Sequence, residues 1–451
     1  MRWVLPWLWV VACDGGKGDL ADDTDPVADD TDDSPGGDDT DVDEVDGILG
    51  LTSAFVPHAL LREGERLWVA GEQAGDMALV ALRWSDLAVD TGWRGGEPWT
   101  LDFGGPTDGF LPQDVDAAFD VVRHGPNLAV AGVARDYEVS GAGSFAVALI
   151  DDSGAPVETF GESGRVITDW GVPSHVQSLA SDGDGVLAWG VTVQGRNTLS
   201  AVRYLNDGNP DRGYSDDDVN AGVVVPSTGD EGAQVFVPVG GDLVVGGTSP
   251  VVRRFGANGR LNMAFAGDGE LRLDDGFFSL GVALAGGDLL LAGTVNAPLE
   301  DGSEVGALRL VRITPDGELV TSWADGGVAV VYSPIETFGL GDLSLPGSVI
   351  KVRGLGVAAD GSVAVYAQAL TITGQAPILM KVQPDGQIDA AFGDDGAIAL
   401  PGAFALFEGA LIGKDDLLVV DGDEVIIVDT WLRDAEGGGI ESFPVALRIA
   451  L

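Results

Sequence analysis

The chain has 451 residues, with 72 acidic residues against 24 basic ones and a formal net charge of −48. Such a charge repels nucleic acid and anionic lipid surfaces, which argues against a protein that binds a phosphate backbone. Glycine contributes 68 residues, about twice its ordinary share. The glycines stand in short clusters between apolar runs, a pattern typical of turns in an all-β protein. Only one short segment, Asp114–Val122, shows a helical pattern.

Residues 1–12 have the pattern of a secretory signal peptide. Arg2 provides a positive start, and the apolar run Trp3–Ala12 that follows is too short to cross a bilayer as a helix. The only cysteine, Cys13, closes a Val-Val-Ala-Cys sequence that resembles the lipobox of bacterial lipoproteins. The resemblance implies cleavage before Cys13 and attachment of a diacylglyceryl group to its sulfur. A buried or incidental thiol is the alternative, and a lone cysteine forms no intramolecular disulfide.

Residues 13–46 predict a disordered acidic tether. They hold fifteen acidic residues and one lysine, with few apolar side chains. Because these charges repel one another and little apolar surface is available for burial, we expect an extended linker. Asp39, Asp41, Asp43 and Asp46 faintly resemble a calcium-binding loop, but the glycine that turns an EF-hand loop is out of register. Calcium is therefore the weaker interpretation, and no other cofactor is predicted.

Residues 47–451 repeat one phrase. It consists of an Asp-Gly-like turn, an aromatic residue six positions after the second residue of that turn, and often a glycine four positions further on. A fixed internal period indicates one supersecondary unit stacked many times. The recurring aromatic residues are Trp93, Phe160, Tyr214, Phe265, Trp323 and Phe392. We expect them to pack between neighbouring units and not to form a ligand cage.

Apolar strands of one type recur seven times in the same region. They are Leu67–Gly71, Leu128–Gly132, Val186–Gly190, Leu243–Gly247, Leu289–Gly293, Val363–Ala367 and Val425–Asp429. The resulting unit of about 58 residues is in the range of propeller blades and too long for one solenoid coil. Residues 47–451 therefore predict an all-β domain, a single seven-bladed β-propeller of four-stranded antiparallel blades.

The order of strands within a unit predicts how the ring closes. We place the first strand of each unit after the aromatic phrase and the fourth before the next turn. The chain then opens in a first-type strand, Ile48–Leu51, and ends in a fourth-type strand, Phe443–Leu451. Pairing of Ile48–Leu51 with the last blade would close the ring. The alternative is that every blade is contiguous in sequence and that packing alone closes the ring.

The strand that precedes the aromatic phrase carries a basic residue at one position. These residues are Arg83, Arg203, Arg254, Arg312, Lys381 and Arg448, and an aspartate follows at plus four in three units, as Asp207, Asp316 and Asp385. We expect a charge-assisted hydrogen bond that fixes the next turn of each blade. A ring of cations that binds an anion in a central channel is the alternative.

These phrases resemble a known bacterial repeat. The segments concerned are Phe392-Gly393-Asp394-Asp395-Gly396, Ala359-Asp360-Gly361, Val202-Arg203-Tyr204 and Asp207-Gly208. They are similar to the delta-60 repeat, whose units combine an aromatic-Gly phrase, Asp-Gly turns and a valine-rich strand. The resemblance covers most of residues 47–451, except for Trp93–Glu97 and Tyr214–Asp218, which depart from the pattern. It implies a propeller-like fold, and it supplies no site residues because the family carries no established activity.

The sequence predicts no catalytic or metal site. His58, His124 and His175 stand in unrelated contexts without the spacing of zinc ligands. We find no nucleophile elbow and no phosphate-binding loop. Asp182 and Asp184 have the chemistry of calcium ligands, but they stand where each blade needs a tight turn, and we favour the turn.

The long, irregular segments predict a binding face. Residues 97–116 and 331–347 join first to second strands, whereas 133–143, 294–304 and 430–442 join third to fourth strands. Because connections alternate between the two ends of an up-and-down meander, all of them project from one face, where rigid scaffolds display functional loops. The candidate binding residues are Trp99, Phe110, Tyr137, Tyr332, Phe338, Trp431, Asp136 and Glu336. Loops that merely pack against one another are the alternative.

Two functions remain open. The first is a non-catalytic, monomeric binding or scaffold protein, anchored by lipid to the bacterial cell envelope at the outer membrane or cell surface, with a protein or glycan ligand. The second is an extracellular propeller hydrolase or lyase with a site at the mouth of the central channel. Histidines and carboxylates clustered at one end of the channel would favour the enzyme.

Overall fold

The propeller predicted from the sequence is confirmed by a computed structural model of the protein. It describes residues 51, 55–104, 116–136, 142–193, 197–214, 223–224, 233–239, 241–247, 249–298, 304–332, 349–370, 375–393, 395–400, 403–404, 416–434 and 440–451. These residues belong to one compact unit, Val42–Leu451, and form seven antiparallel sheets, which are the blades. The predicted signal and tether, with Cys13, lie outside the described residues.

Blades 1 to 4 follow one another along the chain. Blade 1 comprises β1 (Phe55–Glu63), β2 (Arg66–Gln73), β3 (Asp76–Arg83) and β4 (Trp99–Leu101). Blade 2 comprises β5 (Ala117–His124), β6 (Asn127–Asp136), β7 (Ala142–Ile150) and β8 (Arg165–Thr168). Blade 3 comprises β9 (Ser174–Ser181), β10 (Gly185–Val193), β11 (Asn197–Leu205) and β12 (Val223–Val224). Blade 4 comprises β13 (Ala233–Val239), β14 (Asp242–Gly247), β15 (Val251–Phe255) and β16 (Glu270–Arg272).

Blades 5 to 7 complete the ring. Blade 5 comprises β17 (Phe277–Ala283), β18 (Leu289–Pro298), β19 (Glu304–Ile313) and β20 (Val328–Val331). Blade 6 comprises β21 (Val349–Val357), β22 (Val363–Leu370), β23 (Gln375–Val382) and β24 (Ala397–Ala399). Blade 7 comprises β25 (Ala403–Phe404), β26 (Leu418–Asp421), β27 (Glu424–Asp434) and β28 (Ile440–Ala450). Two single-turn 3-10 helices, Arg94–Gly96 and Phe265–Gly267, are the helical segments of the described chain.

The second strand of each blade is an unbroken apolar run because each sheet packs against a neighbour on both faces. In β10, every residue from Gly185 to Thr192 is buried. Several of these runs end in glycine because the first strand bulges towards them. A Cβ added to Gly71 or Gly132 would lie 2.0 or 1.9 Å from a carbonyl oxygen of the first strand. The first strand then lines the centre of the ring.

The structure corrects two details of the sequence analysis. The strand after each aromatic phrase pairs with the strand before it, as β8 pairs with β7, and not with the next unit. It is therefore the outer, fourth strand of its blade, and the unit boundary lies one strand later than the sequence predicted. The segment Asp114–Val122 is not helical, because Ala117–His124 forms β5, whose burial between blades overrides the local pattern.

The connections divide between two faces of the propeller. The first-to-second and third-to-fourth connections, residues 64–65 and 84–98 in blade 1, lie on what we call the turn face. The strand ends that flank the second-to-third connections and the connections to the next blade, which in blade 1 are Gln73 and Asp76 and then Leu101 and Ala117, lie on what we call the loop face. The alternation follows from the antiparallel order of strands in every sheet.

Blade 7 differs from the others. β25 and β26 pair with the same edge of β27, one beyond the other, and together occupy the inner position. β28 pairs with the opposite edge of β27, and no described strand pairs with the outer edge of β28. Leu51 packs against an apolar cluster that blades 1 and 7 share, which includes Ile426 and Val428. This position is compatible with Ile48–Leu51 as the missing fourth strand.

Removal of residues 1–52 tests this closure. If Ile48–Leu51 pairs with β28, the deletion should lower the free energy of unfolding by about 3–5 kcal/mol, because each buried Leu or Ile side chain contributes about 1.5–3 kcal/mol. Thermal melting followed by circular dichroism measures the loss. Deletion of residues 1–46 is the matched control and should leave the melting curve unchanged. If both deletions melt like the full chain, packing alone closes the ring.

Candidate functional site

The turn face is closed by contacts between successive blades. In blades 1, 4 and 5, the aromatic ring of the phrase lies against the glycine turn of the next blade, as the Trp93 ring lies 3.2 Å from a Cβ added to Gly154. The Trp323 ring meets Gly386, where an added Cβ would lie 3.0 Å from the ring, and the Phe265 ring meets Gly317 at 2.8 Å. Both glycines have positive φ angles, of +89° and +84°, which favour glycine. The aromatic residues are thus plugs between blades, as the sequence predicted.

A backbone hydrogen bond accompanies the plug. The residue after the aromatic donates its N–H to the carbonyl of the aspartate in the next blade's turn. The bonds run from Gly161 to Asp207 (2.9 Å), from Ala266 to Asp316 (2.6 Å) and from Ala324 to Asp385 (2.8 Å). In blade 3, Tyr214 is buried and accepts a hydrogen bond from the indole of Trp189 at 3.2 Å. Burial raises the pKa of Tyr214 to about 12, so its hydroxyl stays neutral at physiological pH.

The recurring basic residues form ion pairs, but with partners that the sequence analysis did not predict. Arg254 pairs with Asp242 and Arg312 with Asp288, each at 2.8 Å. Asp242 is the first residue of β14, and Asp288 directly precedes β18, so each aspartate belongs to the same blade as its arginine. Lys381 pairs instead with Asp389 at 3.1 Å, and its ammonium lowers the pKa of that carboxyl. Two of the aspartates at plus four cap turns, because Asp385 accepts the Gln387 N–H at 3.0 Å and Asp207 accepts the Asn209 N–H at 2.9 Å. These pairs make the basic residues structural clasps.

Blades 1 and 2 are further joined by a polar network on the turn face. Arg123 donates to Glu63 at 2.8 Å and to Asp152 at 2.6 Å. The Trp68 indole donates to the other oxygen of Glu63 at 2.9 Å. The Arg123 guanidinium is the main cause of a lowered pKa at Glu63, which therefore stays ionised well into the acidic range. The turn face is thus committed to holding the ring together.

The loop face receives the segments predicted to bind. The strand ends that flank all five of them lie on this face, as with β6 and β7 around residues 137–141. Asp136 ends β6, and Trp431 lies near the end of β27 opposite Phe443. Tyr332, which follows β20, has a side chain that is 47% exposed, and its hydroxyl donates to the Pro298 carbonyl at 3.3 Å. The remaining candidates lie outside the described residues; they are Phe110, Tyr137, Phe338 and Glu336.

Trp99 is a correction to the predicted binding face. It lies in the outer strand β4, but its side chain is only 6% exposed. It packs in a hydrophobic cluster with Trp93 of its own blade and with Leu128 and Val130 of blade 2. The ring faces the neighbouring blade because alternate residues of a strand point to opposite faces of the sheet. Trp99 is therefore a core residue and not a ligand contact.

Buried polar and aromatic residues from the inner strands gather near the axis. Phe119 lies at the bulge of β5 and makes edge contacts with His58 of blade 1, at 5.1 Å between ring centroids, and with His175 of blade 3, at 5.9 Å. The Gln177 amide donates to His175 Nε2 at 3.1 Å. Two histidines that are far apart in sequence are thus linked through one phenylalanine, which the sequence gave no reason to expect.

A second group lies between blades 6 and 7. Asp429 occupies the position that is glycine in five other blades and is 2% exposed. Its carboxylate accepts hydrogen bonds from the Tyr366 hydroxyl at 2.7 Å, from Arg353 at 3.1 Å and from the Thr430 N–H at 2.7 Å. Because both oxygens are engaged, the group has the arrangement of a lock between blades and not of a general base. The sequence signal was the aspartate that ends the run Val425–Asp429.

No three histidine, cysteine or acidic side chains in the described ranges are close enough to hold a metal ion together. Among the helical segments of those ranges, none has the length and apolar character needed to cross a membrane.

The structure also contains a groove that sequence reasoning missed. It has a volume of about 360 Å³ and lies between the outer strand of blade 5 and the third-to-fourth connection of blade 6. Its lining residues are Ala324, Asp325, Val328, Ala329, Val330, Val331, Tyr332, Gly386, Gln387 and Ile388. The signal in the sequence was weak, because a short run of valines followed by tyrosine is also what a buried strand would contain.

Comparisons with known proteins concern the fold. No family model and no curated protein matches the chain. The solved structures similar to it include the polysaccharide lyase Uly1, at 10% identity and a TM-score of 0.44, with 91% of this chain and 93% of that chain covered. The β-propeller domain of the Trilobed protease from Pyrococcus furiosus is also similar, at 12% identity and a TM-score of 0.38, with 87% and 97% covered. These likenesses leave the ligand open.

A pair of glycine substitutions tests the interlock on the turn face. Gly386→Ala and Gly326→Ala both introduce a side chain at positive φ, which costs about 1–2 kcal/mol. An added Cβ meets nothing within 4 Å at Gly326, but at Gly386 it lies 2.6 Å from the Ala324 Cβ and 3.0 Å from the Trp323 ring. We therefore expect Gly386→Ala to lose about 1–3 kcal/mol more, as overpacking does. Urea unfolding measures both, and equal losses would contradict the interlock.

Proposed function

We propose that this protein is a binding or scaffold protein of the bacterial cell envelope, held to the membrane by a lipid on Cys13. The propeller presents its loop face to a protein or glycan ligand. The acidic segment, residues 14–46, separates the propeller from the membrane surface, which its charge repels. The proposal includes membership of the delta-60 repeat proteins, on the resemblance of the repeated phrases.

The observation that carries the proposal is the separation of the two faces. On the turn face, even the long third-to-fourth connections, such as residues 84–98 in blade 1, are fixed by aromatic plugs, ion pairs and backbone bonds between blades. On the loop face, blade 1 shows that two residues, Ala74 and Gly75, suffice to join a second and a third strand. In blades 2, 5 and 7 the same connection is five residues long, at residues 137–141, 299–303 and 435–439. Length beyond what folding needs is typical of binding loops.

The sequence supports the anchor. The apolar leader ends at Ala12, directly before the only cysteine. This segment precedes the seven repeated units, so it supplies no strand to the propeller core that they predict. A single acyl chain binds a membrane only marginally, so stable anchoring needs two or more chains. A diacylglyceryl group on Cys13 meets this requirement.

Substitution of Cys13 tests the anchor. In a bacterial host with lipoprotein processing, the full chain should be recovered from the membrane fraction, and mass spectrometry should show a mature N-terminus at Cys13 with an added lipid. Cys13→Ser should abolish the lipid and shift the protein to the soluble fraction. Ser34→Ala, within the tether, is the control and should change neither result. An intact Met1 terminus, or an unmodified Cys13, would contradict the proposal.

Shortened loops test the binding face. Replacement of residues 137–141 and 299–303 by Asn-Gly copies the two-residue connection of blade 1 and keeps the strand pairs Asp136–Ala142 and Pro298–Glu304 in register. We expect unchanged stability, because shorter loops close at slightly lower entropic cost. Binding to an array of bacterial surface glycans or to a panel of purified envelope proteins should fall at least tenfold.

The control places the same Asn-Gly pair on the turn face, at residues 286–287, where Gly286 and Gly287 already have positive φ. It should bind like the unaltered protein. Equal binding by the loop variants, or no binding by the unaltered protein, would contradict the proposed function. Release of shortened products from any arrayed glycan, measured by mass spectrometry, would favour the hydrolase or lyase instead.

A further inference from the structure

The groove beside blade 5 runs along the edge of a strand. Its lining includes the five consecutive residues from Val328 to Tyr332. Alternate residues of a strand point to opposite faces of the sheet, so a groove that lay over one face would be lined by every second residue. A groove lined by every residue follows the backbone edge. Since β20 is the outer strand of blade 5, this is the edge that faces away from β19.

The hydrogen-bond pattern shows which backbone groups face the groove. The Arg312 N–H donates to the Gly327 carbonyl at 3.0 Å, so in the antiparallel ladder the next bonded positions of the outer strand are Ala329 and Val331. The backbone N–H and C=O groups of Val328 and Val330 therefore point away from β19. Val328 exchanges hydrogen bonds with Asp325, whereas Val330 has no backbone partner among the described residues. One donor and one acceptor are therefore presented to the groove.

The side chains along this edge suit an extended apolar ligand. Val330 is 42% exposed and Tyr332 is 47% exposed, and they are two of the few large hydrophobic residues with such exposure in the described chain. They lie two positions apart, so they present apolar surface on one side of the edge at the spacing of alternate strand residues. Ile388 contributes partly buried apolar surface to the opposite wall.

The charge around the groove favours a cationic ligand. Asp325 lines it, is exposed, and forms no ion pair with any described residue. The basic side chains of β19 and β23, Arg309, Arg312 and Lys381, are already paired with Asp275, Asp288 and Asp389. With a net charge of −48, the protein attracts cations and repels acidic segments over a longer range.

We propose that the groove binds a short, extended peptide segment with alternating apolar residues and flanking Lys or Arg, which adds to β20 as a fifth strand of blade 5. The backbone of Val330 supplies the hydrogen bonds, as in recognition by strand addition. Val330 and Tyr332 contact the alternate apolar side chains, and Asp325 attracts the flanking cation. A volume of about 360 Å³, at the lower end of ligand pockets, accommodates only a short stretch.

This proposal rests on the binding function proposed above and assigns a partner chemistry to one part of the surface. A peptide is favoured over a glycan because the Val330 N–H and C=O have no backbone partner among the described residues, and main-chain hydrogen bonds are what such groups offer. A glycan that stacks on Tyr332 would depend on the ring and not on the Val330 N–H. The two ligands are therefore separable by experiment.

Val330→Pro tests the strand edge. Proline removes the outward N–H and obstructs an added strand, while the bonds of Ala329 and Val331 to β19 remain, since proline is tolerated on edge strands where the N–H faces outward. The full chain is panned against a displayed library of random ten-residue peptides. We expect enrichment of alternating apolar sequences with Lys or Arg. Their affinity should fall about tenfold or more in Val330→Pro.

Two matched variants control for folding and side chain. Val330→Ile keeps the β-branched shape, the apolar surface and the N–H, and it should bind at least about fivefold more tightly than Val330→Pro. Ala399→Pro makes the same change at the corresponding outward position of β24, in blade 6, outside the groove, and should also retain binding. Asp325→Asn should weaken binding about two- to fivefold and reduce its dependence on salt. Hydrogen exchange should show protection of residues 326–332 in the complex.

Several outcomes would overturn the proposal. These are no enriched peptide, enriched peptides without basic residues, or peptides that bind Val330→Pro as well as the unaltered protein. Glycan binding that is lost in Tyr332→Ala and kept in Val330→Pro would assign the groove to a glycan. If the shortened loops of blades 2 and 5 leave every ligand bound while Val330→Pro abolishes peptide binding, the loop face fails as a binding site and the groove stands.

Discussion

The architecture depends on each blade burying both of its faces against its neighbours. A sheet packed on two sides needs a ring of partners, and the ring is fastened where one blade's aromatic residue meets the glycine turn of the next. Trp323 and Gly386 illustrate the constraint, because a side chain at position 386 would collide with the ring it is meant to receive. The repeated phrase therefore determines the contact between successive blades, and not the fold of a single blade.

Because of this constraint, some parts of the surface tolerate changes of sequence and loop length and others do not. The turn face carries plugs, ion pairs and backbone bonds between blades, so substitutions there affect the stability of the ring. The loop face carries connections whose length the fold does not dictate, as the two-residue turn at Ala74–Gly75 shows. The outer edges belong to neither face. There the Val330 backbone of β20 has no backbone partner among the described residues, next to the groove that Asp325 lines, and this edge is the surface proposed for strand addition.

Near the axis, polar residues form contacts that join neighbouring blades. Asp429 replaces the glycine found at this position in most blades, and Arg353 and Tyr366 of blade 6 neutralise and bind it. Breaking one partner of such a buried pair typically costs about 3–5 kcal/mol, because it leaves a charge without compensation. Phe119 joins His58 to His175 by ring contacts. These contacts differ from one pair of blades to the next, whereas the repeated phrase is nearly the same in each blade.

The sequence by itself determined the number of blades, the all-β class and the role of the recurring aromatic residues, because each is written in a fixed period. It also placed the long segments on one face, since alternation of connections is a consequence of antiparallel order. It did not determine which sheet the strand after each aromatic phrase joins, the partners of Arg254 and Arg312, or the burial of Trp99. Nor did it show the edge groove beside Val330. Those depend on which side chains meet across blades, and such contacts join residues far apart in the chain, whereas a periodic pattern records only neighbours along it.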